Sequence, residues 1–226
     1  MIIEVTQQYA DLTATLLEKG PPEVRIAVPG DATYAEIIAG VAIANPSPLI
    51  TAERLAWVLM AVGYRETKLG TAADCDMKGP GCTGDFAPRR HVPGPRHRVL
   101  AHDRGGGPNE PDEHGRVWCL PVDGRGYGRS EWQHDWDAHP EVVGAALADG
   151  TPAWMNSRWA CGQAALRFLA DLRTLGEEHK AVAAFNCGVG GVRRAVAAGL
   201  DVDANTTGRN YSRWVLERVR AWSGQP

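Results

Sequence analysis

The chain has no apolar stretch long enough to cross a bilayer. Its densest run, Trp57 to Val62, falls far short of the roughly 20 residues a spanning helix needs. The N-terminus, MIIEVTQQYADLTATLLEKG, lacks the basic start and unbroken apolar core of a secretory signal, so no export address and no membrane insertion are expected. A basic excess is also missing. With net charge -3 and a pI near 6.2, a protein built to hold nucleic acid is not expected. Internal repeats, low-complexity tracts and sustained strand alternation are absent, which excludes solenoids and all-β architectures. The five cysteines are an odd number, so at least one is free or pairs with another chain. Without an export signal, reduced thiols are the expectation.

Helical patterning is what the chain does have. Residues 4–18 read as a first helix ended by Gly20-Pro21-Pro22. Asp31 stands where it could cap a helix over 32–44, in which Ile37, Ile38, Val41 and Ala42 recur at helical spacing before Asn45-Pro46. Thr51 caps the next, with Leu55, Val58, Leu59 and Val62 on one face, and that helix runs into Tyr64-Arg65-Glu66-Thr67. Further helices are expected from Ser157, over Glu177–Phe185, over Val189–Ala198, and after a cap at Thr207. Between these halves, residues 79–128 hold 18 glycines and prolines in 50 positions, where neither helix nor ladder fits easily. The fold class expected is mainly α, with a short β-hairpin in the glycine-rich region and a long insertion over 70–122. Residues 1–47 form an N-terminal helical extension in this reading, and 48–226 one larger domain that holds the insertion.

Three segments carry candidate chemistry. Glu66 ends an apolar helix at the core boundary, where low dielectric favours a protonated carboxyl able to donate to a leaving oxygen. Taken alone, a glutamate at a helix end is more often a solvated residue. Asp123-Gly-Arg-Gly-Tyr-Gly128, followed by Gln133-His134-Asp135, offers glycines for close ligand approach, an aromatic face at Tyr127 and two carboxylates. Its plain alternative is a tight hairpin. Ala184-Phe185-Asn186-Cys187-Gly188 places Asn186 at a helix–turn–helix junction, and its plain alternative is a helix C-cap with Gly188 left-handed. Trp118, Trp132, Trp136 and Trp154 flank these segments, where stacking on sugars and simple packing are both open.

Together the segments resemble the goose-type lysozymes and the wider lysozyme and lytic-transglycosylase superfamily. That pattern runs from a helix ending Glu-Ser, through Gly-Tyr/Phe-Gly-x-x-Gln-x-Asp, to Ala-Tyr-Asn-x-Gly. Here it reads Arg65-Glu66-Thr67, Gly126-Tyr127-Gly128 with Gln133-His134-Asp135, and Ala184-Phe185-Asn186-Cys187-Gly188. The tail from Asp203 to Ser212 is similar to the goose-type Thr-Thr turn before a last helix. The resemblance covers roughly residues 51–222. It implies a lysozyme-like α+β fold and a muramidase acting on the MurNAc-GlcNAc β-1,4 bond of peptidoglycan, without cofactor or metal. Glu66 would be the general acid, and Asp123 and Asp135 would position the attacking water. Tyr64, Tyr127, Gln133, Asn186 and Trp132 would bind substrate. A lytic transglycosylase, which needs only the Glu, stays open. So does a non-catalytic wall-binding component of a phage tail or injection machine. Without an export signal, the enzyme would be made in the cytoplasm and reach the wall by release or by such a machine. The sequence departs from the pattern at Thr67, at Phe185, and at Arg129-Ser130-Glu131-Trp132, which is longer and more polar than the usual apolar pair. Cys75, Cys82 and Cys119 beside His91, His97, His102 and His114 also keep a structural zinc, or a Cys75–Cys82 disulfide, open in the insertion.

Overall fold

The computed structural model describes residues 2–28, 32–69, 130–134, 138–150 and 153–225. These residues are mainly helical: α1 (Ile2–Lys19), α2 (Tyr34–Ala44), α3 (Ala52–Thr67), α4 (Pro140–Val143), α5 (Ser157–Leu175), α6 (Glu178–Ala197) and α7 (Tyr211–Ser223). Two short strands, β1 (Ala27–Val28) and β2 (Ala32–Thr33), pair antiparallel. They lie ahead of α2. The hairpin expected in the glycine-rich region falls outside the described residues. The chain divides into two compact units, Met1–Val62 with Gly162–Pro226, and Gly63–Cys161.

In the first unit α1 packs on α2, and α6 packs on α7 and on the 3-10 turn Val202–Asn205. The helix expected over 32–44 starts two residues later than Asp31 suggested. Thr33 is its N-cap, because Thr33 and Glu36 form a reciprocal capping box: Glu36 N–H donates to Thr33 Oγ1 at 3.3 Å, and Thr33 N–H to Glu36 Oε2 at 2.7 Å. Asp31 itself lies outside the described residues. Thr51 does cap α3, accepting from Arg54 N–H at 3.1 Å. Every residue from Leu55 to Val62 is buried, so the middle of α3 is apolar on all sides. Each Val, Leu or Met side chain buried there stabilises the fold by about 1.5–3 kcal/mol. Arg54 at the start of α3 grips Glu178 of α6 with two bonds, 2.7 and 2.9 Å, a forked geometry that fixes direction as well as distance.

The two helices expected over Glu177–Phe185 and Val189–Ala198 are present, run together as α6 and separated by a break at Gly188. There φ is 70° and ψ 160°, a conformation open essentially to glycine alone. The helix expected from Ser157 starts there as α5, and Asn156 accepts its capping bond, from Trp159 N–H at 3.0 Å. Ser157 is thereby freed for another contact. α7 does not begin at Thr207 either. Thr207 lies in a 3-10 turn, Thr207–Arg209, and the first amides of α7 are taken by residues further back. Tyr211 N–H reaches Thr206 Oγ1 at 3.3 Å. Asp203, fully buried, accepts from Ser212 N–H at 2.8 Å, Ser212 Oγ–H at 2.9 Å and Arg213 N–H at 3.1 Å. A carboxylate serves this N-terminus better than a hydroxyl, because the amide dipoles favour negative charge.

Asp171 on α5 gives a titration test. Burial raises its carboxyl above the ordinary 3.8, against the opposing pull of the Arg167 guanidinium. The native state thus binds this proton more tightly than the unfolded chain. Stability from this group falls as pH rises from about 3.8 through the raised native value. Asp171→Asn is expected to melt higher than wild type at pH 7 and to lose that advantage as the pH is lowered through the window. Melting curves between pH 3.5 and 7 check it, and a lower melting temperature for the variant at pH 7 would refute it.

Candidate active site

The second unit builds its polar centre from the last turn of α3, the turn 130–134 and the first turn of α5. At its end α3 closes with two left-handed residues, Lys68 (φ 49°) and Leu69 (φ 53°). Lys68 N–H donates to Tyr64 O at 2.9 Å, and Leu69 N–H reaches back to Gly63 O at 3.1 Å. Such a conformation costs a non-glycine residue roughly 1–3 kcal/mol, so something must hold it. Burial does, since Leu69 is sealed against Gly63. A methyl added at Gly63 would stand 2.8 Å from Leu69 Cδ2 and 3.0 Å from Trp132 Nε1. Gly63→Ala is therefore expected to destabilise the protein by about 1–2 kcal/mol, because overpacking outweighs the better helix propensity of alanine. Urea denaturation reads the change, and a variant as stable as wild type would show that the contact yields.

Glu66 sits on this last turn, half-buried, as does Tyr64. Thr67 beside it is buried. Its hydroxyl donates to Glu131 O at 3.0 Å, with Gly63 O at 3.4 Å. The substitution of Thr for the pattern's Ser thus keeps the hydroxyl in use. The turn 130–134 is wound tightly. Ser130 (φ 69°) and Gln133 (φ 49°) are left-handed, and Ser130 O accepts from both Gln133 N–H (3.2 Å) and Gln133 Nε2 (2.9 Å). Gln133 is half-buried.

Trp132 needs correction. Its ring is fully buried, in van der Waals contact range of Gly63, so it packs the turn onto α3 and presents no face to a sugar. Trp154 is buried as well. Sequence reasoning missed two polar residues here. Glu131 is fully buried and accepts from Ser157 Oγ–H at 2.6 Å, and His134, also buried, bonds through Nε2 to Ala160 O at 2.9 Å. A carbonyl can only accept, so Nε2 carries the proton. The departure from an apolar pair at 129–132 was the available signal for Glu131. Burial, then the Glu131 carboxylate, holds the Cys161 thiol well above its ordinary range, so this cysteine is an inert neighbour.

Asn186 belongs to the first unit. It is half-buried, and its Oδ1 accepts from Thr207 N–H at 2.7 Å, tying the break in α6 to the turn before α7. Arg167 lies over the Phe185 ring, 4.3 Å from its centre, and donates to Phe185 O. Cys187 is half-buried with its thiol pushed up, first by burial and then by Asp203. Asp123, Tyr127, Asp135, Trp118, Trp136 and every cysteine and histidine of the zinc or disulfide expectation lie outside the described residues. Among the described residues no group of three His, Cys, Asp or Glu side chains could hold a metal, and no helix is long and apolar enough to cross a membrane.

Comparison with family models, with curated proteins and with solved structures gives no match for this chain.

Proposed function

We propose that this protein cleaves the glycan strands of peptidoglycan as a muramidase, with Glu66 as general acid. The observation that carries the reading is the docking of two distant motifs. The helix end bearing Glu66 and the turn bearing Gln133 are joined by the Thr67–Glu131 bond, across 64 residues of sequence. The goose-type resemblance asks for that juxtaposition of an acid and a cleft glutamine. A half-buried carboxyl at the end of a buried helix is held by a rigid element, as a proton donor to a glycosidic oxygen must be.

In this mechanism Glu66 protonates the leaving oxygen, and water held by Asp123 and Asp135 attacks the anomeric carbon from the opposite face, inverting it and giving up its proton to one of the two aspartates. By the goose-type resemblance, Tyr64, Tyr127, Gln133 and Asn186 are the residues assigned to substrate binding. The substrate is the MurNAc-GlcNAc β-1,4 linkage, and delivery to the wall comes by release or through a phage-tail or injection assembly. The test is digestion of purified peptidoglycan by wild type, with products read by mass spectrometry. Reducing-end muropeptides are expected. Products ending in 1,6-anhydro sugar would make the enzyme a lytic transglycosylase and remove the aspartates from the mechanism. No cleavage of several wall types would overturn catalysis in favour of a wall-binding role.

A further inference from the structure

Glu131 stands out among the described acids. It is fully buried, and it lies in a turn that touches both the acid's helix and α5. Its main chain and side chain face different tasks. The backbone oxygen accepts from Thr67, the residue after Glu66, at 3.0 Å. The carboxylate accepts from Ser157 Oγ–H at the first residue of α5, at 2.6 Å. Two positions on, Gln133 is held left-handed by its double bond to Ser130 O, and His134 anchors the end of the turn to Ala160 O. A buried carboxylate is costly unless well bonded, so an apolar residue would fill this site more cheaply for stability alone. What the carboxylate adds is direction: a short charge-assisted bond fixes the turn relative to α5 more tightly than packing could.

We propose that Glu131, through Ser157, is a positioning residue for the glycosidase site. Resting on the function proposed above, it holds the 130–134 turn so that Thr67 fixes the Glu66 helix end and Gln133 faces the substrate. Glu131 touches no reacting atom. A displacement of about 1 Å in such a frame can cost up to about a hundredfold in rate.

The test compares wild type, Ser157→Ala, Glu131→Leu and Glu131→Gln in steady-state cleavage of soluble glycan fragments, with melting curves for each. Gln retains an oxygen that can accept from Ser157, and Leu fills the volume without one. Ser157→Ala and Glu131→Leu are expected to lose at least about tenfold in kcat with KM nearly unchanged, and Glu131→Gln to recover most of the loss. If Glu131→Leu fails to fold, Ser157→Ala alone decides, since it removes a single hydroxyl. Folded Ser157→Ala turning over within twofold of wild type would overturn the proposal. So would Glu131→Gln as slow as Glu131→Leu, which would assign the effect to charge instead of the bond. Glu66→Gln separates the two readings. If it is dead while Ser157→Ala is fully active, the glycosidase stands and the positioning role falls. A wild type that cleaves no wall overturns both.

Discussion

Glu66→Gln is expected to lose about 10²–10⁴-fold in the rate of glycan cleavage, the usual worth of general acid catalysis, while melting at the wild-type temperature. Gln has the same shape and can still hydrogen-bond, so the half-buried position on the last turn of α3 tolerates it. What it lacks is the transferable proton. The melting temperature is therefore the control that turns a rate loss into a statement about chemistry. Product release from defined glycan oligomers, at equal concentrations of the two proteins, measures the ratio. A variant retaining more than about a third of wild-type activity would move the acid to another residue, and the reading above would fail at its centre. A dead variant that also melts well below wild type would instead assign Glu66 a structural task.

The largest effect on stability is expected at Asp203. This buried carboxylate accepts three short bonds from Ser212 and Arg213, and Thr206 Oγ1 lies 3.3 Å from it. It supplies the N-terminal cap that Asn210, at the formal cap position, does not provide. Asp203→Ala takes the acceptor from both buried donors of Ser212 and from the Arg213 amide, and each orphaned buried donor costs about 1–3 kcal/mol. A loss of about 3–4 kcal/mol is expected in total, near the upper end for single substitutions. Asp203→Asn keeps one acceptor oxygen and should lose less. Urea denaturation of the three proteins reads the order. Alanine within about 1 kcal/mol of wild type would mean that water reaches those amides and that the cap is dispensable.

Much of the first unit was legible because its signals are local. The run Leu55–Val62 forces a buried helix, and Thr51 marks its start. The misplaced caps share one cause: several capable residues stand close together, and tertiary contacts choose among them. Thr33 beats Asp31 because Glu36 answers it in the capping box, a T-x-x-E signal present in the sequence. Thr207 gives way to Asp203 because the turn through Gly208 (φ 73°) and Arg209 (φ 53°) folds the chain back, which no periodicity reveals. In the candidate site, Glu66 at a helix terminus was readable from pattern alone. Trp132 was not, since a tryptophan in a glycine-rich setting gives no sign of which side it packs on. Glu131 was hardest. Its burial depends on Ser157, 26 residues on, and pairings at that distance leave no periodic trace.

The separation of Thr67 from Glu131 bears on how the chain comes to its native state. The Thr33–Glu36 box closes over three residues, whereas the Thr67–Glu131 bond closes over 64. In the unfolded ensemble the entropy of bringing ends together grows with the length between them, and it must be met before the contact gives anything back. Helices α1 to α3 can thus form early from neighbouring residues, while the juncture of acid and turn waits for a long-range encounter. A nascent chain would hold its helical frame before Thr67 and Glu131 come together.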